Sequence, residues 1–364
     1  MKGYHSLARK ILTHKDSGYK PNRTGIDTIS YFGTQKRFDL RKGFPLLTTK
    51  KMFTRGIIEE LIWFMQGDTN IKTLLNKNVH IWDDNAFHDF HKKTGKPEPP
   101  LYTKEWYDAR DSFVQRIQED DAFSSKHGDL GPIYGRQWRK WKAFDIDEEG
   151  NPTKEVVIDQ LENLVTGLQK SPSSRRLIVT SWNPHDVPKM ALPPCHDFFH
   201  VNVQDDNLDL LMYQRSADTF LGVPFNISSY AMLTQILAKQ ADLKPRTFIH
   251  SFGDAHFYCG RGERGEWYKN NHKRIAEEIK EIHKFEDPLQ YLDLKSQIES
   301  EAPEEKPYED GLDHVTGILE QLSRTPKPLP MMEIANKPYN ELTADDFKLS
   351  AYEHHPSIKR RMAV

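Results

Sequence analysis

Apolar residues recur along this chain with two periods, and the changes of period outline its elements. Tyr4 to Leu12 has the spacing of a short amphipathic helix, and Phe53 to Gln66 sets Ile57, Ile58, Leu61, Ile62 and Met65 on one broad apolar face. Val156 to Leu168 also reads as a helix. Beyond Asn226, the spacing of Tyr230, Leu233, Ile236 and Leu237 predicts a buried core helix. Strands are predicted over Thr28 to Phe38, Leu177 to Trp182 and Phe248 to Tyr258. Phe199 to Met212 alternates around Gln204-Asp205-Asp206-Asn207, the pattern of a hairpin with an Asx-rich turn.

Between these elements, Tyr19 to Asp27 is a polar loop. Two longer stretches break the periodicity. Residues 87–127 are charged and aromatic, with Lys96-Pro97-Glu98-Pro99-Pro100 among them. Residues 259–311 are rich in Lys and Glu, with a helical pattern over Ile275 to Phe285 and an acidic, proline-punctuated surface loop over Glu299 to Asp310. Both read as peripheral insertions in a single domain spanning 1–364, a length that can enclose one large core.

Charge narrows the partners. Lys plus Arg number 51 against 53 Asp plus Glu, so no global attraction to nucleic acid or membrane is implied, and a small-molecule partner is expected. No apolar run approaches the ~20 residues of a membrane span, and Met1-Lys2-Gly3-Tyr4-His5 has no apolar signal core, which predicts a cytoplasmic protein. Two cysteines outside any CxxC pair and 16 scattered histidines predict neither a disulfide framework nor a metal site.

The candidate chemistry centres on Ala191-Leu192-Pro193-Pro194-Cys195-His196, where two prolines give a thiol a rigid mount. A lone cysteine usually packs as a small hydrophobe. Here the predicted hairpin returns Gln214-Arg215-Ser216-Ala217-Asp218 towards it, followed by Gly222-Val223-Pro224-Phe225-Asn226. An Arg215 guanidinium near the sulfur favours thiolate and makes Cys195 a nucleophile. Glu60 lies beside the apolar helix face, where a carboxylate is costly unless it has partners or a task. Asn226 carries donor and acceptor on one amide, the complement of the O4 and N3 edge of uracil; a helix cap after Pro224 is its plainer role.

The series Pro-Pro-Cys-His, then Gln-Arg-Ser-x-Asp-x-Phe-Leu-Gly-x-Pro-Phe-Asn, resembles the thymidylate synthase family. The likeness extends through Asn22-Arg23-Thr24-Gly25, Glu60 to Asn70, Asn78 to Asp83, Gly128 to Trp138, Gly253 to Tyr258 and Leu322 to Pro330, most of the chain outside the insertions. It implies an α/β (α+β) fold, a mixed sheet with surrounding helices whose sheet face forms a homodimer interface. It also implies that Cys195 attacks C6 of dUMP, with Asn226 at the uracil edge, and that Glu60 and Tyr134 manage water and protons. Arg23, Arg215 and Ser216 would hold the phosphate, joined by Arg175 and Arg176 reaching across from the partner subunit. His196 and Gln214 would line the nucleotide site, and His256 and Tyr258 would hold the 3′ hydroxyl. The co-substrate implied is 5,10-methylenetetrahydrofolate, with Asp218 on the pterin and Lys50, Trp82, Gly222, Phe225 and Val364 around it.

The expected product is dTMP with dihydrofolate, because Trp82 and the C-terminal tail Tyr352 to Val364, which the resemblance implies closes over the folate, favour a dry site and hydride transfer. The alternative is hydration to 5-hydroxymethyl-dUMP. Ala217, where cysteine is usual, and Asp197, where a small apolar residue is usual, depart from the family pattern. An RNA-binding repressor on the same scaffold is disfavoured by near-neutral charge and the lack of a basic aromatic patch.

Overall fold

The computed structural model describes residues 2–282 and 288–363. Its strands are β1 (Gly18–Lys20), β2 (Ile26–Asp39), β3 (Trp141–Ile146), β4 (Pro152–Ile158), β5 (Ile178–Thr180), β6 (His196–Gln204), β7 (Asn207–Asp218), β8 (Lys244–Arg261), β9 (Met331–Ile334) and β10 (Phe347–Ser350). Its helices are α1 (Lys2–Thr13), α2 (Thr54–Met65), α3 (Lys72–Leu75), α4 (Asp83–Thr94), α5 (Lys104–Glu119), α6 (Asp121–His127), α7 (Tyr134–Arg139), α8 (Gln160–Lys170), α9 (Gly222–Gln240), α10 (Glu263–Glu281), α11 (Gln290–Glu301) and α12 (His314–Leu322).

Six strands form a mixed sheet in the order β1-β2-β8-β7-β6-β5. β7 and β8 run parallel, joined by α9; the other pairs are antiparallel. That crossover explains the character of α9. It is packed against the sheet on one side and α2 and α8 on others, so Ile227, Tyr230, Leu233, Ile236 and Leu237 are all buried. Its hydroxyls are satisfied locally, Thr234 Oγ1 donating to the Tyr230 carbonyl at 2.7 Å. The opposite sheet face is open: Phe32 is 76% exposed, and Ile178 and Trp182, at the β5 edge, are exposed too.

The hairpin β6–β7 turns through Asp205 and Asp206, both left-handed at φ 49° and 59°, a conformation that short Asx side chains tolerate. The expected helix over Val156 to Leu168 begins later. Val156, Val157 and Ile158 belong to β4, as a β-branched run favours, and Asp159 caps α8 by accepting the Glu162 N–H at 2.9 Å. The β3–β4 hairpin was not visible in the periodicity.

Residues 87–127 form most of α4 together with α5 and α6, and bury Phe87, Trp106, Phe113 and Ile117 in the main core. In the second long stretch the helix over Ile275 belongs to α10, which starts at Glu263; Phe285 lies outside the described residues. The Glu299 to Asp310 segment begins inside α11 and is tied down beyond it. Glu305 accepts from the backbone N–H groups of Gly311 and Asp313, both at 2.8 Å. A buried knot fastens α10 to α12: Asp313 caps α12, pairs with Arg264 at 2.8 Å and accepts from Tyr268 at 2.8 Å. The two stretches also meet each other. The Tyr107 hydroxyl donates to the Tyr308 carbonyl at 3.4 Å with the two rings 6.2 Å apart, and the Arg261 guanidinium lies 5.6 Å from the centre of the Tyr102 ring.

Candidate active site

Cys195 sits immediately before β6, half-buried, with its backbone clamped on both sides. Its N–H donates to the Tyr134 hydroxyl at 2.7 Å, and its carbonyl accepts from Arg215 N–H at 2.9 Å. The Arg215 side chain folds back on the same segment, Nε to the Pro194 carbonyl at 2.8 Å and Nη2 to Pro193 at 2.9 Å. The prolines, having no N–H, still offer carbonyls, and these aim the guanidinium at the nucleophile. Arg215 was expected to lower the thiol. Burial instead pushes Cys195 up; Arg215, the Tyr134 hydroxyl and Arg23 favour the thiolate, but Asp197 adds to the burial cost and the net shift is upward.

The next residue, His196, organises one side of this cluster. Burial and the Arg215 charge depress it to about 3, so the ring is neutral. Its Nε2 accepts from Asn226 Nδ2 at 2.8 Å. One amide hydrogen and the carbonyl oxygen of Asn226 remain for a ligand. Asn226 is not the helix cap: it lies in the second turn of α9, behind Leu221 at the N-cap. A Cβ at Gly222 would sit 3.7 Å from both Asn226 Oδ1 and Asp218 Cβ, against the edge these two groups present.

Glu60 is on α2, where it accepts from Trp82 Nε1 at 2.9 Å. Burial pushes its carboxyl up to about 7, with the Trp82 hydrogen bond opposing, so it exchanges protons near neutrality. The Tyr134 ring packs, tilted, against those of Phe64 and His196, with centres 4.7 and 4.9 Å away. Tyr230, from α9, is made harder to ionise by burial and, after it, by the charges of Glu60 and Asp197.

Arg23 is exposed on its loop, which Asn22 shapes by bonding Thr24 and Ile26. Its charge reaches both Cys195 and Tyr258. Ser216 follows Arg215 on β7, half-buried. His256 Nδ1 is held by Asp254 at 3.2–3.3 Å, and the Tyr258 hydroxyl feels Asp218, Cys195 and Arg23 together. Gln214 does not present itself to a ligand as expected: it is buried, its oxygen accepts from His250 at 2.8 Å, and its amide donates to the Ser216 carbonyl at 3.0 Å. Arg175 and Arg176 precede β5, both exposed and in no ion pair among the described residues.

Asp218 ends β7. Burial raises its carboxyl, but His314, His256 and backbone N–H groups outweigh that and hold it ionised below the usual range. Its Oδ1 accepts from the N–H of Phe220 and of Leu221 at 3.0 and 3.1 Å and faces His314 Nδ1 at 3.4 Å. His314 is fully buried and was not singled out by sequence reasoning; only the Asp313 cap that precedes it on α12 signals its position. Lys50 is buried, donates to the Phe220 carbonyl and lies 3.8 Å from that ring's centre; burial brings its ammonium down to about 7. Trp82 and Phe225 complete this side, buried and half-buried, and Val364 lies outside the described residues. Among the described residues no group of three or more His, Cys, Asp or Glu side chains is arranged to hold a metal.

This arrangement gathers a thiol, a cationic cradle, a donor–acceptor amide, a carboxylate titrating near neutrality and a fixed carboxylate anion. The thymidylate synthase family model matches residues 2–364. The thymidylate synthase of Listeria monocytogenes serotype 4b (strain F2365) is 39% identical over 378 residues, those of Mesoplasma florum and Mycoplasma pneumoniae 38% over 366 and 365, and all of each chain is covered. From end to end this chain belongs to the thymidylate synthase family.

Proposed function

We infer that the protein is a one-carbon transferase acting on C5 of dUMP, making dTMP by reductive methylation with 5,10-methylenetetrahydrofolate and releasing dihydrofolate. The observation that carries this reading is the cluster itself: Cys195, held by Tyr134 and Arg215, beside Asn226 oriented by His196. Full-length likeness to relatives named thymidylate synthase favours reduction over hydration of the one-carbon unit.

In this scheme the Cys195 sulfur bonds to C6, and the C5–C6 electron pair becomes an enolate whose charge rests on O4. Asn226 accepts from N3–H through Oδ1 and donates its second amide hydrogen to O4. Glu60, titrating near neutrality, supplies and removes protons at O4 and C5 through water, with the Tyr134 hydroxyl beside the C5 proton. Breaking the S–C6 bond returns the thiolate and frees the product. Arg23, Arg215 and Ser216 bind the phosphate, while His256 and Tyr258 take the sugar hydroxyl. The folate fits the other side: Asp218 is ionised with Oδ2 free of hydrogen bonds among the described residues, Trp82 supplies an apolar wall, and Lys50 lies next to Phe220. When bound, the folate supplies the carbon unit and then a hydride.

The open sheet face bearing Phe32, with Arg175 and Arg176 exposed at its β5 edge and in no ion pair among the described residues, supports a homodimer in which each subunit lends these arginines to its partner's phosphate site. Incubation with dUMP and the methylene folate, following dihydrofolate absorbance and weighing the nucleotide product, tests the function. Dihydrofolate with dTMP is expected, and hydroxymethyl-dUMP without dihydrofolate would overturn the reductive route. Cys195→Ala is expected to abolish turnover while retaining nucleotide binding, and Asn226→Asp to shift preference towards dCMP.

A further inference from the structure

Asp197 is absorbed by none of these roles, yet it is the charged side chain closest in sequence to the nucleophile. It exists in its present orientation because of a slip in the sheet: β6 and β7 pair at His196 with Gln214 and next at Phe198 with Tyr213, so Asp197 is the extra residue of a bulge. Bulges re-aim a side chain relative to the pleat. Here the carboxylate is turned towards Arg215, with Oδ1 3.7 Å from Nε.

That pair is incomplete. The Arg215 Nε–H is committed to the Pro194 carbonyl, so Asp197 receives the guanidinium's charge but no hydrogen bond from it. Oδ1 is fully buried and has no hydrogen-bond partner. The side chain is 15% exposed, so the cost falls on the inner oxygen, which among the described residues depends on one long contact; protonation relieves that cost if the contact is diverted.

Among the described residues the surroundings offer no other ion pair to the Asp197 carboxylate. From β5 and the residues after it, the N–H groups of Ser181 and Trp182 and the Thr180 hydroxyl all bond the Asp197 backbone carbonyl, leaving its carboxylate untouched. From α9 the nearby titratable group is the Tyr230 phenol, and along β6 it is the Cys195 thiol, each made harder to ionise by Asp197. From β7 comes Arg215, whose guanidinium also lies over Trp182 at 5.2 Å.

We propose that Asp197 is a positioning residue that takes up a proton from solvent when the nucleotide phosphate engages Arg215, so that substrate binding removes a negative charge from beside the Cys195 sulfur. The inference rests on the proposed function, since it needs a phosphate at Arg215. The phosphate brings more negative charge to the one cation Asp197 relies on, and the carboxylate answers by becoming neutral. Asp197 is already poised for this: burial, offset only in part by Arg215, raises it to about 7 in the free protein. The uncharged acid no longer opposes the thiolate, so the nucleophile is activated only once its substrate has arrived.

The test measures dUMP affinity without folate for wild type and Asp197→Asn between about pH 6 and 8.5. Titration of the nucleotide's own phosphate is common to both proteins and cancels in the ratio of their dissociation constants. Coupled uptake of one proton predicts that this ratio changes little below about pH 7 and grows towards tenfold per pH unit above it, the wild type binding progressively worse. A ratio independent of pH would overturn the proposal. In parallel, alkylation of Cys195 by iodoacetamide without nucleotide, followed by peptide mass, is expected to show its midpoint at lower pH in Asp197→Asn than in wild type. An unchanged midpoint would overturn the charge coupling. Asp197→Ala, which also deletes the charge, serves if the amide variant does not fold. Failure of both proteins to bind dUMP would overturn the proposed function and the proposal with it, whereas binding with a flat ratio overturns the proposal alone.

Discussion

Glu59 and Glu60 are neighbours on α2, and their different fates show what a residue's surroundings decide. Glu59 is 3% exposed and paired with Lys77 at 2.6 Å; among the described residues Glu60 has only the Trp82 indole N–H. Desolvation with a single neutral donor raises Glu60 from an ordinary 4.5 to about 7. The folded protein therefore binds more protons at this site than the unfolded chain does between those values, so the site's contribution to stability falls as pH rises through the window. Glu60→Gln removes that slope. The variant is expected to match wild type below about pH 4.5 and to gain on the order of 1 to 3 kcal/mol by pH 8, read from urea midpoints across pH, while its turnover drops sharply. Equal stabilities at both ends would remove the desolvated carboxyl from the account.

At the scale of elements, the site is assembled where three chain ends meet: the bulged start of β6, the end of β7 and the first turns of α9. Alternation predicted the hairpin, and its Asx turn is where the sequence placed it. The bulge at Asp197 was invisible, because a one-residue slip is set by pairing with a partner strand and not by either strand's own pattern. The Arg264–Asp313 knot is a second case. It joins α10 to α12, whose first residue, His314, faces Asp218. Arg264→Ala leaves a buried carboxylate unpaired and is expected to cost about 3 to 5 kcal/mol, measured by denaturant unfolding. By loosening α12 it is also expected to raise KM for the folate more than for dUMP; equal increases would mean that His314 does not transmit the effect.

At the scale of the molecule, the open sheet face and the exposed Arg175 and Arg176 lead to one prediction. If each site borrows these arginines, Cys195→Ala and Arg176→Ala homodimers each lack a needed group in both sites. Their heterodimer restores one complete site. An equal mixture, after exchange of subunits, is expected to recover about a quarter of wild-type activity in steady-state assays, half the dimers being mixed with one working site each. No recovery in a mixture shown to exchange would confine Arg176 to its own subunit.

The sequence by itself determined the helix and strand periodicity, the rigid Pro-Pro-Cys mount and the motifs that mark the family, because these depend on residues close together in the chain. Tertiary structure alone decided that burial outweighs Arg215 at the Cys195 thiol, that Gln214 bonds His250, that His314 faces Asp218 and that Asp197 faces Arg215. Each of those outcomes depends on how much water is excluded and on which distant charge arrives. Both are sums over the whole packed chain, and no local pattern records them.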